Sequence, residues 1–231
     1  MINRFRGKKI FHFCTPKSAS TYLKDLITLN LENKYSLKTL VPLHKDRTQV
    51  PSLFMHRINF FKNIYYQRLH YTNTSYLKNY FLSKNDIVIL QTRDIYDTII
   101  SLKDHLSRDN KSKVNPWFYN NDWQDLSNEV KLDKIISFYL PWHVDFLNSW
   151  FNFAYCKVIR VDYSEIESFS DQFVLKLKNS LGNLNKDIVK PIKAEVGQFN
   201  VGRSGRGIEQ LSKSQISRID DFMKVNLINY V

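Results

Sequence analysis

Three short apolar runs in this chain are each followed closely by a helical pattern, and that alternation constrains the fold more than any other feature. Lys9 to Thr15 (KIFHFCT) stops at Pro16, and Leu23, Leu26, Ile27 and Leu31 then recur at helical spacing. Asp86 to Thr92 (DIVILQT) has the continuously apolar centre of a strand covered on both faces of a parallel sheet. Ile95, Ile99, Leu102 and Leu106 mark a helix directly after it. Tyr155 to Val161 is a third strand, and Ser164 with Glu167 makes a capping-box pair that opens the next helix. Strands alternating with helices predict an α/β fold of three layers, a central parallel sheet flanked by helices. Ligands in such sheets bind at the carboxyl ends of the strands, which directs attention to the segments after Thr15, Thr92 and Val161.

The stretches between are less regular. Thr39 to Leu43 reads as a short strand, Ser52 to Arg68 as an aromatic-rich helix and Tyr76 to Leu82 as a second helical piece. Ser107 to Ser127 is polar and reads as a surface loop, and Leu132 to Phe151 as a long helix interrupted or kinked at Pro141. Ser212 with Gln215 repeats the capping box near the end, after a basic, glycine-containing loop from Lys190 to Gly207. No internal repeat and no second domain is visible, so residues 1–231 read as one domain.

Charge points to anions. The chain carries 34 Lys and Arg against 22 Asp and Glu, a formal excess of +12, which suits phosphorylated ligands, nucleic acid, anionic membranes or acidic glycans alike. Cys14 and Cys156 stand alone inside apolar runs, which argues against a disulfide framework and against a cysteine-rich zinc site. With no leader-like or membrane-spanning apolar segment in view, the expectation is a cytoplasmic protein.

The first strand-to-helix loop, Thr15-Pro16-Lys17-Ser18-Ala19-Ser20-Thr21-Tyr22, is built from small hydroxyl residues and one lysine. Unpaired N–H groups at a helix N-terminus favour an anion, and Lys17, Ser20 and Thr21 can add donors, although a serine that merely caps the helix would leave the same pattern. The glycine-rich loop of nucleotide kinases is not present. Arg93 follows the best strand, where a guanidinium can grip phosphate through forked hydrogen bonds. Late in the chain, Asn200-Val201-Gly202-Arg203-Ser204-Gly205-Arg206-Gly207 sets arginines among glycines that let backbone approach an anion.

These three segments, in this order, resemble the sulfotransferases that use 3′-phosphoadenosine 5′-phosphosulfate (PAPS). The family's first-loop pattern P-K-S-G-T-T-W is matched by Pro16-Lys17-Ser18-Ala19-Ser20-Thr21-Tyr22. Ala19 stands where the family has Gly, which predicts an ordinary backbone conformation there, and Tyr22 where it has Trp, near the adenine. Arg93 and Ser101 keep the spacing of the family's R-D-P-R-D-x-x-x-S segment, whose Arg and Ser hold the 3′-phosphate. Gly202 and Gly205 keep the spacing of its late R-K-G-x-x-G loop, with Arg203 or Arg206 left to supply the charge.

The resemblance implies a P-loop-like phosphate-binding loop after the first strand, PAPS as sulfuryl donor and PAP as product. It also implies Lys17 on the leaving-group side and a histidine base well upstream of Arg93, preceded by a basic residue. His70, in Gln67-Arg68-Leu69-His70, fits that place, with His44 and His105 as competitors, and a side chain that titrates near neutrality suits the task. His12 reads instead as a core histidine. The acceptor, a small molecule or glycan hydroxyl, would be framed by Thr48 to Tyr71 and Arg108 to Trp123, both rich in aromatic residues. No metal ligand set and no nucleic-acid module is visible, and the oligomeric state is not legible. A nucleotide-dependent kinase, a basic nucleic-acid-binding domain and an inactive chain of this fold stay open as other readings.

Overall fold

A computed structural model describes residues 7–31, 36–38, 63–108, 123–182, 184–185, 187–191 and 203–228. Five parallel strands make one sheet: β1 (Lys9–Cys14), β2 (Ser36–Lys38), β3 (Ile64–Leu69), β4 (Ile87–Thr92) and β5 (Lys157–Asp162). Their spatial order is β2-β3-β1-β4-β5. The helices are α1 (Ser20–Asn30), α2 (Ser75–Tyr80), α3 (Ile95–Arg108), α4 (Asn128–Phe151), α5 (Tyr163–Ser168), α6 (Asp171–Leu181), α7 (Arg206–Gln210) and α8 (Lys213–Asn226).

Alternate side chains of each strand serve opposite faces. Ile10, Ile87, Ile89, Ile159 and Val161 pack with α1, α5 and α6 on one face. Phe11, Phe13, Val88 and Leu90 pack with α2 and the end of α4 on the other, where Phe13 and Trp150 sit 4.5 Å apart. A separate core joins α3, α4 and α8. Because both faces are covered, β1 and β4 are apolar on both faces apart from buried Lys9, His12 and Gln91, which is why their sequences announce them.

Several expectations are corrected. The segment Ser52 to Arg68 ends as strand β3 from Ile64, not as a helix, and its earlier part lies outside the described residues, as does Thr39 to Leu43. Helix α4 runs through Pro141 without a break and begins at Asn128. The capping box opening α5 is Asp162 with Glu165 rather than Ser164 with Glu167, because β5 runs to Asp162 and the helix starts at once. Tyr76 to Leu82 is helical at Ser75–Tyr80, the Ser212–Gln215 box is present, and the late basic loop gives way to α7 at Arg206. Among the described residues no helix is long and apolar enough to cross a membrane.

Candidate active site

The chain leaves β1 toward β2 and β3 on one side, then returns to β4 and β5 on the other. The order therefore reverses between β1 and β4, the position where the loops of an open parallel sheet separate into a crevice. The carboxyl ends of four neighbouring strands contribute there: His70 after β3, the Thr15 to Thr21 loop after β1, Arg93 after β4 and Tyr163 after β5.

The loop carries two left-handed residues, Lys17 at φ 60° and Ala19 at φ 63°. Ala19 thus adopts the conformation that the resembled family assigns to glycine, and the expectation of ordinary backbone there is overturned. Ala19 is also the residue preceding α1, and no side chain caps that helix. The first turn of α1 contains no acidic residue, so its N–H groups and the positive end of the helix dipole are available to an anion. Ser18 does not compete as a cap: buried, it donates its hydroxyl to the Thr15 carbonyl at 2.7 Å. Tyr22 points into the core beside α6, and the Thr21 hydroxyl accepts from Arg68 at 3.3 Å.

Lys17 is half-buried, and its pKa falls to about 8 through desolvation first and then the positive charges of Arg108 and Arg93, with Asp104 opposing. Arg108 and Asp104 lie on α3, along the stripe that Asp97, buried Ser101 and Asp104 share at helical spacing. Lys17 and this stripe therefore face one another.

Arg93 is 8% exposed. Its guanidinium donates to the Lys17 carbonyl at 3.1 Å and to the Arg203 carbonyl at 3.2 Å, lies 3.7 Å from Asp97 and stacks 4.0 Å from the Tyr163 ring centre. Its Nε is buried with no hydrogen-bond partner among the described residues, as is the Thr15 hydroxyl. Two such orphaned donors at a cationic crevice are what a bound polyanion would satisfy.

The Asp97 carboxylate also accepts from the Gly205 and Gly207 N–H groups at 3.0 and 2.8 Å, which ties the late segment to α3. Arg206 pairs with Asp104 at 2.6 Å, facing the stripe, whereas the Arg203 side chain is exposed and pairs with Glu209. Gly202 lies outside the described residues.

His70 follows β3 directly. Its Nδ1 lies 2.7 Å from the Cys14 carbonyl, which only accepts, so the proton sits on Nδ1 and Nε2 is left with a lone pair. The residue is exposed, yet the surrounding protein, and then Arg68, lower its pKa, against the pull of that bond. It is therefore held in the neutral, proton-accepting form. His12 is a core histidine as expected, between Tyr65 and Gln91. His105 lies in the last turn of α3 and His44 outside the described residues.

One contributor to the site, Tyr163, was not named from the sequence, and two others entered there only as neighbours of the residues singled out. Tyr163 lies two residues beyond Val161, at the strand end that was expected to meet a ligand. Arg68, left-handed at φ 49° in an irregular end of β3, is the basic residue before His70. Asp97 was visible only as part of a motif.

No family model matches the sequence, and no curated protein matches it. Among solved structures, the mouse sulfotransferase SULT7A1 in complex with PAP is similar, with a TM-score of 0.66 and 17% identity over 96% of this chain and 84% of that one. The likeness spans nearly the whole chain, and with a parallel sheet that reverses its order at an uncapped helix N-terminus, this protein has the sulfotransferase fold.

Proposed function

We propose that this protein is a PAPS-dependent sulfotransferase acting on a hydroxyl of a small alcohol, phenol, lipid or glycan. One observation carries this above all: an uncapped helix N-terminus with Lys17 lies between buried Arg93 on one side and His70, with its lone pair on Nε2, on the other. The solved neighbour's complex with PAP agrees with it in fold.

PAPS would supply the sulfuryl group and a phosphate leaving group, with no metal needed in principle. The N–H groups of Ala19 to Tyr22 and the hydroxyls of Ser20 and Thr21 would hold its 5′-phosphate end. Arg93 through its Nε, Ser101 and Arg206 would hold the 3′-phosphate. Arg203, turned outward, contributes its carbonyl to Arg93. Lys17 would balance negative charge growing on the leaving side, as fixed cations do in phosphoryl transfer. His70 Nε2 would take the proton of the acceptor hydroxyl, its Nδ1–H bond to Cys14 keeping the ring oriented.

Calorimetric titration with PAP, ADP and ATP on wild type and Arg93→Ala tests this. Selective binding of PAP is expected, weakened on the order of 100-fold in Arg93→Ala because charge-assisted, forked bonds are lost. Equal or tighter binding of ATP would overturn the sulfotransferase reading in favour of a kinase.

A further inference from the structure

Beneath the anion loop runs a chain of hydrogen bonds whose direction is set by chemistry. The Ser18 carbonyl can only accept, so Gln91 presents its Nε2 to it. That leaves the Gln91 Oε1 facing His12 Nε2 at 2.7 Å, and an amide oxygen also only accepts. His12 therefore carries its proton on Nε2. Its Nδ1 is the acceptor, and the Tyr65 hydroxyl, 3.0 Å away, donates to it. His70, across Cys14, holds the opposite tautomer. Tyr65, His12, Gln91 and Ser18 are all fully buried.

The loop is gripped twice by Gln91. Its backbone carbonyl accepts from Thr15 N at 3.0 Å, and Ser18 closes the ring through its hydroxyl on the Thr15 carbonyl at 2.7 Å. In a planar trans peptide the C=O and the next N–H point in opposite directions. Drawing the Ser18 carbonyl down to the sheet thus turns the Ala19 N–H up toward the crevice, and the left-handed Ala19 is the backbone consequence. Burial above all, with the charge of Arg68 and that of His70 whenever it takes up a proton, holds the His12 pKa at about 4 against the bond to Gln91, so the neutral ring persists.

We propose that Tyr65, His12 and Gln91 form a polarised relay that fixes the Ser18–Ala19 peptide, making Gln91 a positioning residue for the phosphate loop. Its consequence for binding rests on the loop being the nucleotide site proposed above.

The test combines long-range ¹H–¹⁵N spectra of the imidazoles, amide spectra of Lys17 to Thr21, and PAP titration, on wild type, Gln91→Met, His12→Phe and the double variant. The expected results are an Nε2–H tautomer for His12 in wild type and shifted loop amides in Gln91→Met. PAP affinity should fall about tenfold in Gln91→Met, and the double variant should lose little more, since members of one network are not additive. An Nδ1–H tautomer for His12, or loop amides unmoved in Gln91→Met, would overturn the relay. The wild-type tautomer decides even if a variant fails to fold. If the spectra show the relay and wild type binds no PAP, the relay stands as the loop's support and the nucleotide assignment falls.

Discussion

Ala19 sits at φ 63° with a methyl group that this region of backbone space disfavours by roughly 1–2 kcal/mol. The conformation persists because the carbonyl on one side of it is held by Gln91 and the helix on the other by the packing of Leu23 and Leu26. Glycine would relieve the strain, at the expense of a packed methyl and a freer unfolded chain. Ala19→Gly should therefore stay within about 0.5 kcal/mol of wild type, whereas an ordinary helical alanine replaced by glycine loses about 1 kcal/mol. Ala19→Val, β-branched at positive φ, should lose at least about 1 kcal/mol. Urea unfolding of the two variants checks both; a large loss in Ala19→Gly would mean that the left-handed turn is not where the strain lies.

Helix α7 is only five residues long and owes its place to contact rather than propensity. A Cβ on Gly207 would meet the Tyr96 carbonyl carbon and Cβ at 2.3 Å and the Asp97 nitrogen at 2.6 Å, so only glycine lets α7 lie this close to α3. Gly207→Ala must lift α7 off Asp97 and draw Arg206 from Asp104, costing about 1–3 kcal/mol as overpacking does. PAP affinity is expected to fall on the order of tenfold with it, read by titration beside a thermal melt; unchanged affinity in a destabilised variant would detach α7 from the site. None of this proximity was legible from the chain, since Gly207 and Tyr96 are distant in sequence. Strands β1, β4 and β5 were legible because a short apolar run that gives way at once to helical spacing fits a covered parallel strand far better than a buried helix. Strand β3 was not: its aromatic residues suit a helix as well, and what makes Ile64–Leu69 a strand is pairing with β1, where Tyr66 stacks on Phe11 at 4.7 Å. His70 was found by its motif, yet its tautomer comes from the Cys14 carbonyl, a contact only the sheet creates.

At the scale of the molecule, the packing that builds the site also shuts two histidines away from solvent. His12 lies in β1, and His143 lies in α4 with its Nδ1 3.2 Å from the Tyr139 hydroxyl. Burial holds each at about 4, against an ordinary 6.5. Between those values the unfolded chain binds protons that the folded one refuses, so stability is complete above about pH 6.5 and drains away as pH falls toward 4. Each histidine contributes up to ~3 kcal/mol to that loss. His70, lowered by burial too, adds in the same direction, while Asp94, raised by burial, opposes it over its own more acidic range. His143→Phe removes one titration at a residue that is not a member of the proposed relay. Urea midpoints measured from pH 8 to pH 4 should therefore fall steeply for wild type and clearly less steeply for His143→Phe. Parallel curves would mean that His143 is charged, or open to water, in the folded protein.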